Sequence, residues 1–417
     1  MVDLLECTVM PYAWGSRSAI AELSGRPSPA SGPEAELWMG AHPMAPSRLS
    51  RDGTRRGLAE VISESASREL GSEVASSFGP RLPFLLKVLA AAQPLSLQAH
   101  PDAARAKAGF EEEDARGIPR DAPTRSYKDT SHKPELLCAL VPVDALCGFR
   151  RVSDTLRLFD ELGVKELEPV LAPLRASPDA KGLATVFRAL MTMPAGEASR
   201  LVRATVAASS TRGLSTSFPR EHAWAVRLDT LYTGDIGVVS ALLLNLVHLD
   251  IGQALYLGAG NLHAYLDGVG VEIMASSDNV LRGGLTKKHV DVAELLRVLD
   301  FTDGPVVPVN ARRVDEHERV WDTPAREFRL SAITLGATSS STQTPSAGPV
   351  TRDVRGPEIL LCTEGTVTLT PSDGSPPITL RRGSSAFVAG STGRYTVRLE
   401  NSTERGASLY RATVNLT

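Results

Sequence analysis

Short β-favouring runs occupy both ends of the 417-residue chain, and a helical block lies between them. Glycine or proline separates the runs, as in Leu85–Leu89, Glu135–Leu140 and Ala254–Leu257, and similar runs continue from Ile359 to the end of the chain. Many short strands at nearly even spacing are typical of jelly-roll barrels. The sequence therefore predicts a mainly β fold, built of jelly-roll β-barrels, with an α-helical insertion.

The helical block begins at Val152 and carries apolar residues at helical spacing. We expect Ser177 to cap one of its helices and Pro178 to occupy the first helical position. The apolar run Ile236–Leu249 is shorter than the roughly 20 residues that a membrane span needs. It predicts a buried helix instead.

Composition excludes several classes of protein. Hydrophobic residues make up 42% and charged residues 22% of the chain, so a folded protein is expected. A net charge of -3 and a pI near 6.3 argue against a nucleic-acid partner. The N-terminus shows no basic and apolar leader, so we expect a cytoplasmic protein without a membrane partner. The four cysteines lack metal-ligand spacing and are expected to be reduced.

The first chemical motif is the run Ser96–Pro101. In an extended strand, Ser96, Gln98 and His100 share one face because side chains alternate with period two. An amide oxygen and an imidazole two residues apart could reach one ion. The alternative is a polar strand end whose histidine hydrogen-bonds a neighbour.

Two further motifs supply a carboxylate and a second imidazole. Glu135 opens an otherwise apolar strand, where a buried carboxylate needs a metal or a cation such as lysine or arginine. Gly252–His263 combines a strand, a glycine turn and a histidine, which resembles the second cupin motif with Gly258 in place of its proline. The turn directs His263 into the barrel, with Tyr265 on the same face.

The set Gln98, His100, Glu135 and His263 offers nitrogen and oxygen ligands with one carboxylate. Such ligands fit Zn²⁺, and Fe²⁺, Mn²⁺ or Co²⁺ remain alternatives. Arg282 lies just before a glycine pair, where it could stabilise negative charge or bind a phosphate. Its alternative role is a surface arginine paired with Asp278.

Together these motifs resemble the type I mannose-6-phosphate isomerases, the zinc-dependent phosphomannose isomerases of the cupin superfamily. The resemblance covers most of residues 1–300 and rests on seven segments. They are Tyr12–Ser16, Leu82–Leu89, Gln98–Asp102, His132–Glu135, Ala145–Phe149, Tyr232–Asn245 and Gly258–Leu296.

The resemblance implies an isomerase that interconverts mannose 6-phosphate and fructose 6-phosphate by proton transfer through a cis-enediol(ate). It implies one zinc ion, held by residues 98, 100, 135 and 263, and assigns Arg282 to catalysis. It implies His132, Lys133 and Asp278 as candidates for proton transfer. It places Trp14, Lys87, Ser96 and Tyr265 around the sugar phosphate, and it implies a role in GDP-mannose biosynthesis.

On this basis we expect four segments and a monomer. Residues 1–150 and 226–320 form one catalytic cupin domain in two parts, and residues 151–225 form the helical insertion. Residues 321–417 form a degenerate jelly roll that contains no histidine and serves in packing. Two alternatives remain: a non-catalytic cupin that binds sugar phosphates, and an iron-dependent cupin oxygenase.

Overall fold

A computed structural model of the chain describes residues 1–51, 53–338, 345–400 and 406–416. The described residues combine antiparallel β sheets with one block of helices between Val152 and Ala241. This block of helices follows strands and is followed by strands, which agrees with the coarse order of elements predicted from the sequence. Helices take about as much of the chain as strands do, which is more than a mainly β fold implies.

Residues up to 149 alternate strands with short helices. In chain order the strands are β1 (Val2–Leu5), β2 (Thr8–Met10), β3 (Glu36–Met39), β4 (Arg48–Arg51), β5 (Thr54–Gly57), β6 (Phe84–Ala91), β7 (Gln98–Ala99), β8 (Glu135–Ala139) and β9 (Val143–Phe149). The helices are α1 (Ala19–Leu23), α2 (Leu58–Glu64), α3 (Ala66–Leu70), α4 (Ser72–Phe78) and α5 (Ala103–Ala115).

The helical block follows β9. Its helices are α6 (Val152–Leu162), α7 (Glu168–Ala176), α8 (Ala180–Met191), α9 (Ala195–Arg212), α10 (Pro219–Leu231) and α11 (Gly237–Ala241). Asp179, not Ser177, caps α8, because its carboxylate accepts hydrogen bonds from the backbone N–H groups of Lys181 and Gly182. Pro178 therefore lies before the helix, and its predicted place at the first helical position is wrong.

The chain then returns to strands. These are β10 (Leu244–Leu249), β11 (Ala254–Leu257), β12 (His263–Ala275) and β13 (Leu281–Arg282), followed by α12 (Val292–Val298). The prediction of one buried helix over Ile236–Leu249 is wrong, since the run divides into α11 and β10. An apolar run of this length does not distinguish a helix from a strand, and pairing with β9 draws its second half into the sheet.

Strand β12 organises the first large sheet. It pairs antiparallel with β6, β7, β8 and β9, and the sheet contains ten strands, in the order β10-β9-β12-β6-β3-β2 with β7, β8, β11 and β13 attached. The long β12 thus brings the ends of several strands to one place. That place holds most of the sequence-predicted site residues.

The C-terminal part is β-rich. Its strands are β14 (Arg312–Arg313), β15 (Glu318–Trp321), β16 (Arg329–Gly336), β17 (Val350–Asp353), β18 (Glu358–Glu364), β19 (Thr366–Pro371), β20 (Ile378–Arg381), β21 (Ser385–Val388), β22 (Arg394–Leu399) and β23 (Gly406–Thr413). They form two sheets. One has seven strands and includes β1, and the other has four strands. Most of the Ser- and Thr-rich run Ser339–Gly348 lies outside the described residues.

One apolar core joins the two large sheets. Leu86 and Ile273 from the first sheet pack in the same cluster as Leu330, Ile359 and Phe387 from the second. A separate apolar core includes buried residues of the helical block. It also includes Phe149, whose ring stacks on that of Phe301 with 5.0 Å between the centroids. Among the described residues, none of the helices combines the length and apolar character needed to cross a membrane.

Candidate metal centre and active site

Three predicted metal ligands come together from three strands. His100 follows β7, Glu135 opens β8 and His263 opens β12, and one ligating atom from each lies within 4.8 Å of the others. Glu135 Oε1 is 3.4 Å from His100 Nε2, and Glu135 Oε2 is 3.5 Å from His263 Nε2. All three side chains are buried. The carboxylate therefore lies between the two imidazoles.

Hydrogen bonds fix both histidine rings. His100 Nδ1 donates to the backbone carbonyl of Asn279 at 2.7 Å, and His263 Nδ1 donates to that of Asn261 at 2.9 Å. Because a carbonyl only accepts, each Nδ1 carries the hydrogen and each Nε2 carries the lone pair. Among the described residues neither Nε2 has a hydrogen-bond partner. Such tautomer-fixing bonds are typical of histidines that ligate metals.

The protonation of these groups agrees with metal binding. Burial lowers the pKa of His100 to about 4, so its imidazole is neutral at physiological pH. Burial would raise the pKa of Glu135, but the Lys133 ammonium and His100 outweigh that effect and hold it well below its ordinary value. A neutral imidazole beside a carboxylate fits a divalent metal ion.

Gln98, the predicted fourth ligand, lies at the same edge. It is paired with His263 on one side and with Arg282 on the other. Directly opposed residues of antiparallel strands share a face of the sheet. Gln98, His263 and Arg282 therefore face the same side, and their positions agree with the predicted grouping of metal ligands and Arg282.

The two lysines nearest the ligands already have anionic partners. Lys133 Nζ is 3.1 Å from Glu135 Oε1. The buried Lys87 Nζ is 3.0 Å from Glu272 Oε2 and 3.6 Å from Glu36 Oε2. The carboxylates thus neutralise both ammonium groups within the site.

Comparisons with known proteins give one consistent result. Residues 2–152 match the family profile described as phosphomannose isomerase type I, catalytic domain. The mannose-6-phosphate isomerase of Escherichia coli (strain K12) is 40% identical over 394 residues, covering 94% of this chain and 95% of its own. The chain belongs to the type I phosphomannose isomerases.

More distant members and solved structures agree. The mannose-6-phosphate isomerase of Homo sapiens is 32% identical, covering 92% of both chains. A crystal structure of mannose 6-phosphate isomerase from Salmonella typhimurium, bound to its substrate fructose 6-phosphate and to zinc, is 35% identical with a TM-score of 0.88 over 100% of both chains. Another structure of mannose 6-phosphate isomerase is described as holo and zinc bound, with a TM-score of 0.88 and the same coverage.

The proton-transfer candidates of this phosphomannose isomerase each have a partner. Asp278 Oδ1 is 3.4 Å from the Nε2 atom of the buried His42. Burial would raise the pKa of Asp278, but His42 is the main group that outweighs this effect, and the pKa is lowered. His132 Nε2 is 2.7 Å from Glu327 Oε1, and this hydrogen bond raises the pKa of His132. Asp278 is therefore charged at neutral pH, and protonation of His132 is favoured.

Arg282 differs from the two paired lysines. Among the described residues it makes no ion pair, and burial lowers its pKa. Partial desolvation also lowers the pKa of the largely exposed Lys288, and the charges of Arg282 and Lys128 lower it further. Lys288 thus lies close enough to two other cations for their charges to act on it. Positive charge placed in this way attracts an anionic group.

The remaining predicted contacts lie around this centre. Tyr265 is buried beside His263, with ring centroids 6.4 Å apart. Trp14 is half-buried and stacks on Tyr12 at 5.8 Å, and the pKa of Tyr12 is raised by burial and by Glu36. Ser96 is half-buried, between backbone hydrogen bonds at Leu95 and Leu97.

Sequence reasoning missed several residues near the site. They are Glu36, His42, Lys128, Glu272, Asn279 and Glu327. Glu36 and Glu272 each lie on a buried, otherwise apolar strand, which is the same signal that identified Glu135. The other four residues carry no comparable signal.

Proposed function

We propose that this chain interconverts mannose 6-phosphate and fructose 6-phosphate, with one zinc ion held by Gln98, His100, Glu135 and His263. The observation that carries the proposal is the pair of buried, unpartnered Nε2 atoms beside Glu135. The Salmonella typhimurium structure bound to fructose 6-phosphate and zinc, at 35% identity over 100% of both chains, supports the same substrate and metal.

The reaction moves one proton from C2 to C1 and one hydroxyl proton from O2 to O1 of the open-chain sugar, and it leaves the composition unchanged. Removal of the C2 proton leaves a cis-enediolate. Transfer of the hydroxyl proton from O2 to O1 and return of a proton to C1 then give the ketose. Asp278, charged at neutral pH, is the group we assign to accept the proton. Lys133, whose charge helps to lower the pKa of Asp278, and His132, whose raised pKa favours protonation, are the groups we assign to donate a proton.

The enediolate needs a stabilising positive charge. A bound zinc ion supplies Lewis-acid chemistry that polarises the sugar oxygens. Arg282 adds a cation that no carboxylate in the described residues neutralises, and it shares a sheet face with Gln98 and His263. A buried arginine stabilises developing negative charge more strongly than an exposed one, since the local dielectric is lower.

We assign the substrate phosphate to the cations around Lys288. The charges of Arg282 and Lys128 both act on Lys288, and a phosphate dianion bound beside it would offset that repulsion. We assign Ser96 as a further donor beside this group. Trp14 and Tyr265, together with the neutralised Lys87, are assigned to the sugar.

The remaining features of the proposal concern the whole chain. The two large sheets represent cupin-type jelly rolls, in a catalytic part (1–150 and 226–320) and a degenerate C-terminal part (321–417), with residues 151–225 inserted. We propose a cytoplasmic monomer with no nucleic-acid or membrane partner. The near-neutral charge supports the absence of a nucleic-acid partner.

A coupled assay tests the proposal. Conversion of mannose 6-phosphate to fructose 6-phosphate is measured before and after removal of metal by a chelator, and again after addition of Zn²⁺. We expect chelation to abolish turnover and zinc to restore it. Glu135→Gln is expected to lose both bound zinc and turnover, because its negative charge balances the metal.

Glu111→Gln in α5 is the matched control, since Glu111 is exposed and the same charge is removed. Its turnover should equal that of the unmodified protein. Unchanged turnover in protein shown to be metal-free would contradict the role of zinc. Tight binding of mannose 6-phosphate without turnover by the zinc-loaded protein would favour a non-catalytic sugar-phosphate-binding role.

A further inference from the structure

The side chain of Asn279 forms hydrogen bonds with backbone groups of the segment Lys128–Ser131. Asn279 is fully buried in the connection between β12 and β13. Its Oδ1 accepts from the N–H groups of Lys128 at 2.7 Å and Asp129 at 3.2 Å. Its Nδ2 donates to the carbonyls of Asp129 at 2.8 Å and Ser131 at 2.9 Å. One amide thus satisfies two donors and two acceptors of an irregular segment.

The backbone of the same residue holds a metal ligand. The carbonyl of Asn279 accepts the Nδ1 hydrogen of His100 at 2.7 Å, and this bond directs the Nε2 lone pair of His100 towards Glu135. A shift of residue 279 therefore moves the acceptor that orients His100. The side chain and the carbonyl of one residue act on two parts of the active site.

Neighbouring bonds make the connection stiff. Ser277 Oγ donates to the Asp129 carboxylate at 2.9 Å, and the N–H of Asp278 donates to Asp129 Oδ2 at 2.8 Å. The segment from residue 128 to residue 131 leads directly to His132 and Lys133. Lys128, at its start, is a cation whose charge acts on both Lys288 and Asp278.

We propose that Asn279 is a positioning residue that couples metal binding at His100 to the order of the segment Lys128–Ser131. This inference rests on the proposed function only in taking zinc as the metal. Zinc binding needs His100 to be protonated at Nδ1 and fixed in its orientation. The fixed ring holds the Asn279 carbonyl in place, and it therefore also holds the Asn279 side-chain amide, which hydrogen-bonds to the segment. The coupling is reciprocal, because two linked equilibria stabilise each other equally.

Hydrogen exchange of the unmodified protein provides the first test. Exchange of the peptide covering residues 127–133 is compared between metal-free and zinc-loaded samples. We expect zinc to slow exchange of the Lys128 and Asp129 amides about tenfold. Equal exchange rates with and without zinc would overturn the proposal, and this arm needs no variant.

The second test uses Asn279→Asp, which keeps the shape of the side chain but replaces the Nδ2 donor by an oxygen. The zinc Kd is measured by competition with a chromophoric chelator. We expect it to rise about tenfold, as for other groups that orient metal ligands. The protection of residues 127–133 by zinc should also be lost. A variant that binds zinc with unchanged Kd would overturn the proposal.

Asn245→Asp is the matched control. Asn245 Nδ2 also donates to backbone carbonyls, those of Cys147, Gly148, Phe149 and Gly304, but it contacts neither His100 nor residues 128–131. Its zinc Kd and the zinc-dependent protection should stay unchanged, whereas an equal loss in this variant would overturn the specific role of Asn279. Neither readout measures turnover. Absence of the coupling in a protein with intact isomerase activity would therefore contradict this inference but not the proposed function.

Discussion

Arg282 and Lys288 belong to one group of cations, but their surroundings predict different kinetic roles. Arg282 is partly buried on the sheet face that carries Gln98 and His263, whereas Lys288 is exposed. Arg282→Ala should lower kcat about 10²–10³-fold, because it removes a charge that stabilises the enediolate. Lys288→Ala should mainly raise KM, since it weakens attraction for the phosphate in ground and transition states alike. Steady-state kinetics of both variants separate the two roles.

Lys287→Ala is the control for these variants, because Lys287 is an exposed neighbour of the same charge and no role is assigned to it. It should leave both constants unchanged, and thermal melting should confirm that all three variants fold. A fall in kcat for Lys288→Ala as large as that for Arg282→Ala would contradict the division of roles.

The chemistry of single residues could be predicted from sequence where the motif is local. His100, Glu135 and His263 meet as expected, and their spacing within strands explains why. The partners of the lysines could not be predicted. Glu272 lies 185 positions from Lys87 in the sequence, and only the register of β12 against β6 brings them together. The predicted role of Lys87 as a phosphate or sugar contact stays a prediction, although two carboxylates already neutralise its charge.

At the scale of elements, the turn before β12 determines where both histidines lie. Gly260 adopts a φ of 76°, its N–H donates to the carbonyl of His100 at 2.8 Å, and its carbonyl accepts from Asp300 at 3.0 Å. A Cβ atom at this position would lie 2.9 Å from the carbonyl oxygen of Val298, a backbone atom. The turn therefore requires glycine for conformation and for space.

Gly260→Ala should destabilise the protein by about 2–4 kcal/mol, combining strain of the left-handed conformation with overpacking. It should also weaken zinc binding, since the turn contacts His100. Gly252→Ala is the matched control, because φ is 81° there and nothing lies within 4 Å of the added Cβ. That variant should lose only about 1–2 kcal/mol. Equal losses in urea unfolding would show that crowding at Gly260 is unimportant.

The same turn explains a departure from the cupin pattern. Gly258 stands where that pattern has proline, and a Cβ there would meet only the Tyr256 ring, at an ordinary 3.6 Å. Gly258 also lacks a positive φ, so its position does not require glycine. The pattern identified the element correctly because Gly260 and His263 carry the geometry. By contrast, the apolar run Ile236–Leu249 gave no local signal for its division, which depends on pairing with β9.

For the whole molecule, the C-terminal part has a larger role than the predicted packing alone. It shares an apolar core with the ten-stranded sheet, and Glu327 lies just before β16. From there its carboxylate reaches His132, which lies three residues before Glu135 in the sequence. The absence of histidines after His317 indicated that this part holds no metal, but it gave no information about a carboxylate that reaches the site.

The His132–Glu327 pair predicts how this contact depends on pH. The hydrogen bond to Glu327 raises the pKa of His132 above its ordinary 6.5, so this stabilisation is complete below that value and is lost as pH rises through the folded-state pKa. Burial would raise the pKa of Glu327, but His132 outweighs it and lowers that pKa below 4.5. The carboxylate's contribution is therefore present above 4.5 and is lost as pH falls through the folded-state pKa. The His132–Glu327 pair therefore stabilises the protein most between the ordinary pKa values of the two groups, 4.5 for glutamate and 6.5 for histidine.

We expect the Tm difference between the unmodified protein and Glu327→Gln to be largest near about pH 6 and to shrink as pH rises through the folded-state pKa of His132, because His132 is then neutral in both proteins. Because both side chains are partly exposed, the difference should be small and should decrease with added salt. Glu73→Gln in α4 is the control, since Glu73 is exposed and makes no ion pair among the described residues. Its Tm difference should not peak near about pH 6. A Glu327→Gln difference that stays constant from about pH 6 to about pH 9 would show that the C-terminal part contacts His132 without sensing its charge.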